Sequence, residues 1–495
     1  MATRSKKRRP AGAGERAAAP VRFLLNGAPH AESGVAPTMT VLDYLRTVRH
    51  LTGTKEGCAE GDCGACTILL GRRVDGKLRY DAVNSCLMMV PQLDGAAVVT
   101  VEGLAAPDGP LHPVQQAMVE TDGTQCGFCT PGFVMAMAAF RLGGEPATDT
   151  LIHEALAGNL CRCTGYRPIV DAMKRAAGGP PDRIAAAAPA TDKALAALPA
   201  CETYAQGEQV FLAPRSLLAL AEARAAHPAA PLLAGGTDLG LKVSKDREKL
   251  PLVISTAFVP ELRRIAAGRD VVELGAAVTY SAALATIDAA FPAMAAMMRR
   301  LGSRQIRNLG TFGGNLGTAS PIGDTLPCLL ALEATLTLRS TDGSRTLSVD
   351  DFFLGYRKTA LRPGEFIEAI RLPRLGPSEI FQVYKLSKRF DQDISAVIGA
   401  FRLEIQGGRV KALRAAYGGM AATPKRAGAL EAALIGRPWT TEALADVDAL
   451  LAQDFQPIDD MRATAAYRRR AAANLVRRLQ LETAPGGAPA RLEAL

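Results

Sequence analysis

The stretch KEGCAEGDCGACTILL, residues 55–70, places Cys58, Cys63 and Cys66 within nine residues, with Gly57, Gly61 and Gly64 between them. A fourth cysteine, Cys86, follows in VNSCLM. A loop this dense in thiols and glycine has no side chains with which to build a core of its own, so its order must come from something the thiols hold. Upstream, VRFLLNG (21–27) alternates as a strand does and ends in Asn-Gly, a hairpin signal. Thr40 is placed to N-cap a helix over VLDYLRTV, with Asp43 in its first turn. CTILLG, leaving the loop, reads as a strand.

The spacing C-x4-C-x2-C with a later fourth cysteine is the recognised one of plant-type [2Fe–2S] sites. Four thiolates around an iron–sulfide core leave that core anionic, so backbone N–H groups must point at the sulfurs. Gly57, Gly61 and Gly64 allow φ values closed to other residues and let the backbone come close. Zinc also accepts four cysteines, but its sites usually pair C-x2–4-C knuckles. Strand, turn, strand, helix and cluster loop is the order of a ferredoxin-like β-grasp.

A second set lies downstream. TQCGFCTPGF supplies Cys126 and Cys129, and NLCRCTGYRP supplies Cys161 and Cys163. Between them PGFVMAMAAFRL is apolar nearly all round and reads as a buried helix, capped by Thr130 and started by Pro131. RPIVDAMKRA reads as another helix, with Pro168 near its start. Each cysteine pair therefore precedes a helix N-terminus, whose positive dipole end suits an anionic cluster. Zinc is the stronger rival here, since C-x2-C and C-x-C suit many sites.

With 495 residues the chain is too long for one ordinary core. No run of apolar residues is long enough for a membrane span. The net charge of +9 is uneven: MATRSKKRRP carries five basic side chains, and residues 1–20 read as a disordered, solvated tail rather than a nucleic-acid arm. Arg8 and Arg9 are followed by no apolar h-region, so the expectation is a cytoplasmic protein, not an exported one. Ten cysteines grouped in short motifs, with no secretory signal, argue for clusters or metals over disulfides. Two are left over, Cys201 and Cys328, the latter in an apolar helix and expected in the core.

In this order, GDCGAC and QCGFCTPG…CRCTGYRP resemble the iron–sulfur domains of the xanthine dehydrogenase family of molybdenum hydroxylases. Further along, PLLAGGTDLGLKVS (231–244) and IRNLGTFGGNLGTASPIGDTLPCLLALEA (306–334) are glycine-rich turns leading into helices. Neither is G-x-G-x-x-G, so neither is a Rossmann site. Turns of this kind expose N–H groups that can cradle a pyrophosphate. They are similar to the flavin-binding segments of that family. The resemblance implies FAD contacts at Leu232, Leu233, Ala234, Gly235, Gly236, Thr237, Asp238 and Leu239, then at Thr311, Phe312, Gly313, Gly314 and Asn315. It adds Asp324, Ile367 and Lys385, with Leu301 standing where some relatives carry an aromatic.

The fold class expected is α+β multidomain: a β-grasp [2Fe–2S] ferredoxin-like domain (21–103), a helical [2Fe–2S] domain (104–178), a vanillyl-alcohol-oxidase-like FAD domain (204–379) and a small C-terminal α+β domain (380–484). Residues 179–203, rich in alanine and proline, read as a linker, and 485–495 as a tail. The basic helix TAAYRRRAAANLVRRLQ reads as a solvated or partner-facing surface.

The family binds molybdenum in a domain larger than this chain. The resemblance therefore implies a small subunit that partners a large molybdenum-cofactor subunit, two of each, with no nucleic acid and no membrane. Electrons from that partner would enter at Cys126, Cys129, Cys161 and Cys163, pass to Cys58, Cys63, Cys66 and Cys86, then to FAD and NAD+. The loop with Lys388, Arg389, Asp391 and Asp393 resembles one that affects NAD+ access. Purine oxidation is the expected chemistry of the complex. Other readings are an aldehyde or other heterocycle hydroxylase, a stand-alone NADH-linked reductase, or a zinc-stabilised binding protein using its basic tail.

Overall fold

The computed structural model describes residues 18–179 and 182–487, so most of the amino-terminal tail and part of the carboxy-terminal one lie outside the described residues. The chain is a multidomain α+β protein, with the two cysteine-bearing regions first along the sequence and the glycine-rich region, here called the flavin region after the resemblance above, following them.

The first region is a five-stranded sheet. Val21–Leu25 pairs antiparallel with Ala28–Glu32 and parallel with Ala97–Val99, which pairs with Thr67–Val74, itself paired with Lys77–Asn84. Asn26 and Gly27 take φ 52° and 86°, the left-handed pair that an Asn-Gly hairpin needs. Thr40 Oγ1 accepts from the Asp43 N–H at 3.0 Å, opening a helix, Val41–Asp43, that loosens into a π-helical turn, Tyr44–Val48. Val41, Tyr44 and Leu45 pack on Phe23, Ile68 and Val98. This core continues into the flavin region through Tyr204, Phe211, Leu233 and Leu309, so the two regions share one hydrophobic interior.

Four helices follow: Pro113–Glu120, Thr130–Gly143, Asp149–Leu156 and Arg167–Ala177. Thr130–Gly143 is buried from Gly132 to Phe140, as its all-round apolar sequence requires. Its cap differs from the sequence reading. Cys129 occupies the N-cap position, and Thr130 bonds the Thr124 hydroxyl at 2.6 Å instead.

The alanine- and proline-rich joining stretch carries a helix, Arg183–Ala196, despite Pro189 within it. Asp182 caps it, accepting from the N–H groups of Ile184 and Ala185 at 2.9 Å each. The same carboxylate meets His112 Nε2 at 3.0 Å and Arg141 Nε at 3.5 Å. Cap and buried ion contacts together outweigh a composition that on its own favours a flexible linker.

Two sheets form the flavin region. Thr203–Gln206, Gln209–Leu212, Leu252–Ser255 and Leu232–Leu233 lie in that order, the last two contacts parallel. Ile265–Ala267, Val271–Gly275, Phe366–Pro373, Thr335–Ser340 and Gly343–Ser348 form an antiparallel sheet. The last region is the antiparallel sheet Glu379–Leu386, Val397–Gln406, Arg409–Gly418 and Lys425–Arg426, backed by Gly428–Leu434, Val447–Asp454 and Ala465–Thr483. The basic helix is not solvated throughout. Arg468, 2% exposed, donates to the carbonyls of Ala396 and Gly419 and to Asp460. Among the described residues no helix is long and apolar enough to cross a membrane.

Candidate functional site: two cysteine sets and a flavin-type cradle

The first loop gathers its four thiols two and two. Cys58 pairs with Cys63 and Cys66 with Cys86 through thiol hydrogen bonds. Backbone N–H groups already point at the sulfurs. Cys58 N–H donates to Cys63 Sγ at 3.3 Å, Cys63 N–H to Cys58 Sγ at 3.3 Å, and Glu60 N–H to Cys58 Sγ at 3.4 Å. Those bonds, the Cys63 thiol first, hold Cys58 down at about 5, while the partner thiols push Cys63 and Cys86 up. Gly61 and Gly64 have φ 84° and 68°. Gly57 serves differently: a Cβ there would sit 2.7 Å from Cys63 Sγ.

The second set pairs Cys129 with Cys161 and Cys126 with Cys163. Burial, then the neighbouring Cys161, pushes Cys129 up to about 12. Cys126 and Cys163 are exposed, and Phe128, Leu160 and Tyr166 stand exposed beside them. The helices Thr130–Gly143 and Arg167–Ala177 begin just after the two pairs, as expected from sequence. Among the described residues no three metal-ligating side chains converge on one point. Two neighbouring pairs of thiols are a donor set that fits a two-iron cluster, with two ligands to each iron.

The two sets touch. Leu160, which stands between Asn159 and Cys161, donates its N–H to the Cys63 carbonyl at 3.0 Å. Gly64 and Gly132 make the approach possible: a Cβ on Gly64 would lie 2.2 Å from Gly158 O, and one on Gly132 would lie 2.3 Å from Gly64 O. On its other side the first set meets the flavin region. Cys66, Cys86 and Leu87 pack with Leu241 and Ile306. Cβ atoms on Gly236 and Gly240 would come within 3.1 and 2.5 Å of Leu87 O. Sequence reasoning passed over Leu87 and Leu160, although each directly adjoins a cysteine.

The two glycine segments also meet each other. A Cβ on Gly235 would fall 1.8 Å from Leu309 O, and one on Gly314 would fall 3.5 Å from Ala234 Cβ. They do different work. Among the described residues the N–H groups of Gly236, Thr237, Asp238 and Leu239 bond no acceptor, and Gly236 has φ 85°. Such a run of free N–H groups is able to receive an anionic group. In the second segment the N–H groups of Phe312 and Gly313 are taken by Val278 O and Ala276 O, and that of Gly314 by Thr311 Oγ1 at 2.9 Å. That segment braces the first.

Asn315 Oδ1 accepts from Thr325 Oγ1 at 2.7 Å. Asp324 is buried, paired with Lys385 and bonded by Ser395 Oγ at 2.6 Å. Asp324 and Lys385 thus meet, and Ser395 joins them without a sequence signal. Ile367 lies in the core with Phe312, and Leu301 packs at that core's edge. Asp238 is paired with Arg357 at 3.2 Å.

The loop of Lys388, Arg389, Asp391 and Asp393 is tied at several points. Lys388 Nζ donates to Met461 O at 2.8 Å, and Asp393 accepts from the Arg389 N–H at 2.9 Å. Arg300 stacks over the Phe390 ring at 4.3 Å and donates to Phe390 O at 3.1 Å. Burial pushes Asp62 of the first cysteine loop up, and the Arg389 charge opposes that shift. Burial also raises Asp391, with Arg300 and Arg307 acting the other way.

Four family profiles cover the chain in sequence: a 2Fe-2S iron-sulfur cluster binding domain at 23–91, a [2Fe-2S] binding domain at 100–174, an FAD binding domain in molybdopterin dehydrogenase at 205–375 and a CO dehydrogenase flavoprotein C-terminal domain at 382–483. The chain is 32% identical over 500 residues to the xanthine dehydrogenase/oxidase of Rattus norvegicus, matching 88% of itself and 37% of that protein. It is 33% identical to xanthine dehydrogenase of Emericella nidulans, over 88% of itself and 36% of the relative. The chain thus spans little more than a third of these relatives. Among solved structures it is similar to a carbon monoxide dehydrogenase from Hydrogenophaga pseudoflava lacking the Mo-pyranopterin moiety of its cofactor, with TM-score 0.52, 29% identity, and 54% of this chain and 94% of that one covered. It is likewise similar to quinoline 2-oxidoreductase from Pseudomonas putida 86, with TM-score 0.52, 26% identity, and 57% and 99% covered.

Two [2Fe–2S]-binding domains joined to an FAD-binding domain define an iron–sulfur flavoprotein of the oxidoreductase class. Within it, the chain belongs with the xanthine dehydrogenase-type molybdenum hydroxylases, as their iron–sulfur/FAD part.

Proposed function

We propose that the chain is the small subunit of a xanthine dehydrogenase, carrying electrons between a molybdenum-cofactor subunit and NAD+ in the oxidation of hypoxanthine and xanthine to urate. The observation that carries this reading is that the first cysteine set lies between the other two parts: Leu160, next to Cys161, bonds the Cys63 carbonyl, and Leu87, next to Cys86, lies against Gly236 and Gly240. Cys126, Cys129, Cys161 and Cys163 hold one [2Fe–2S] cluster, and Cys58, Cys63, Cys66 and Cys86 the other. The N–H groups of Gly236 to Leu239 bind the FAD pyrophosphate, and the buried Asp324–Lys385 pair fixes the wall beside it. When bound, the clusters carry single electrons and the flavin collects two for release as hydride.

The exposed face of Cys126, Phe128, Cys163 and Tyr166 is the surface offered to the large subunit. The exposed apolar rings there suit a protein partner rather than solvent. The loop around Arg389 and Asp393 borders the approach of NAD+. The assembly is two small and two large subunits in the cytoplasm. Relatives named for carbon monoxide and quinoline leave a second reading, the same electron path serving another molybdenum hydroxylase. Co-expression with a large molybdenum-cofactor subunit, followed by NAD+ reduction with xanthine, an aldehyde or quinoline, tests the proposal. NADH formed with xanthine alone supports it. NADH formed only with another substrate transfers the chain to that hydroxylase.

A further inference from the structure

One side chain from the flavin region reaches into the seam between the two cysteine sets. Gln305, fully buried, lies on the short helix Arg304–Arg307, which Ser303 caps. Its Nε2 donates to Asn159 Oδ1 at 2.9 Å and to Thr67 Oγ1 at 3.3 Å. Asn159 Nδ2 donates to Gly64 O at 3.0 Å, and Thr67 Oγ1 donates to the same carbonyl at 2.6 Å. Each end of this network adjoins a cysteine: Gly64 follows Cys63, Thr67 follows Cys66, and Asn159 precedes Leu160 and Cys161. Thr67 and Asn159 are buried as well. Gln305 Oε1 has no partner among the described residues and lies against Gly158, where a Cβ would come within 2.0 Å.

Burying three amide and hydroxyl side chains costs free energy that apolar residues would not, unless the bonds are made. Here both Gln305 N–H bonds are directed, one to each cysteine region. An apolar side chain of equal size would fill the seam but would not fix its register. We propose that Gln305 is a positioning residue that sets the spacing and orientation of the two cysteine sets, and so of the clusters they hold. The flavin region thereby governs transfer between clusters that it does not itself ligate. This rests on the electron-transfer reading above.

The test uses the full chain, reduced anaerobically with dithionite, and reads the magnetic interaction between the two reduced clusters by low-temperature EPR. Gln305→Met removes both N–H donors at constant length. Thr67→Val removes the shared hydroxyl at constant shape and decides the matter if the first variant does not fold. Asn308→Leu is the control, because it deletes a bond of 2.8 Å between the flavin region and the Ala82 carbonyl that does not lie between the sets. The expected result is wild-type iron and flavin content in all three, with the splitting narrowed or lost in Gln305→Met and Thr67→Val and kept in Asn308→Leu. An unchanged splitting in the folded variants overturns the inference, as does an equal loss in Asn308→Leu. Wild-type chain showing no pair of cluster signals would overturn the electron-transfer reading itself, before any substitution is considered.

Discussion

Gly235→Ala is the sharpest single perturbation of the cradle. The new Cβ would stand 1.8 Å from Leu309 O and 3.0 Å from Gly310 N, and both of those are backbone atoms that no rotamer change can move aside. The turn carrying the free N–H groups must shift away from the bracing segment by more than an ångström to restore ordinary contact. Overpacking of this kind costs about 1–3 kcal/mol. If that strain falls on the FAD-bound state, affinity drops roughly 5- to 150-fold, at 1.4 kcal/mol per tenfold. The cysteine loops are held by other contacts and should keep their metal. The assay is flavin and iron content per chain, followed by FAD titration of stripped protein. Gly317→Ala is the control, since a Cβ there meets nothing within 4 Å. FAD binding at wild-type strength in Gly235→Ala would refute the cradle argument, and so would parallel loss of flavin and iron.

Further outcomes follow from other parts of the molecule. Cys63→Ser should remove the first cluster and about half the iron, leaving the second set's EPR signal in place. Lys385→Met strands the buried Asp324 carboxylate and should cost about 3–5 kcal/mol in denaturant unfolding, whereas the double change with Asp324→Leu should recover most of it. Asp182 is held at about 2: burial works against its charge, but the His112 contact and the N–H groups of Ala185 and Ile184 outweigh it. A depressed carboxylate stabilises above its ordinary range and loses that contribution as pH falls toward its folded value. Melting curves of Asp182→Asn should therefore lie below wild type at neutral pH, with the gap closing as pH falls from about 4 toward 2.

Short-range physics made much of the molecule legible. Asn26-Gly27 specified its hairpin because few residues accept two left-handed φ values in a row. Thr40 capped its helix because its hydroxyl satisfies an N–H that the helix cannot. The cysteine spacings carried the cluster reading because most of the thiols fall in short local motifs, Cys58 to Cys66 in one loop and Cys126–Cys129 and Cys161–Cys163 as close pairs. Features set by distant partners were not legible. The helix Arg183–Ala196 depends on Asp182 finding His112 and Arg141, some 40 to 70 residues away in sequence. Arg468 reads as one more surface arginine until Ala396 and Gly419 present their carbonyls to it. The two glycine segments look alike in composition, and only the strand leading to Ala276 and Val278 decides which keeps its N–H groups free. Gln305 had no local signal at all, because its partners come from two other regions.

The central claim is that this one chain holds two iron–sulfur clusters and a flavin. The visible spectrum of anaerobically purified protein, with iron, zinc and flavin assays, tests it most directly. About four iron atoms and one FAD per chain, bleached together by NADH, are the result expected. A colourless protein that carries zinc in its cysteine loops would contradict the account.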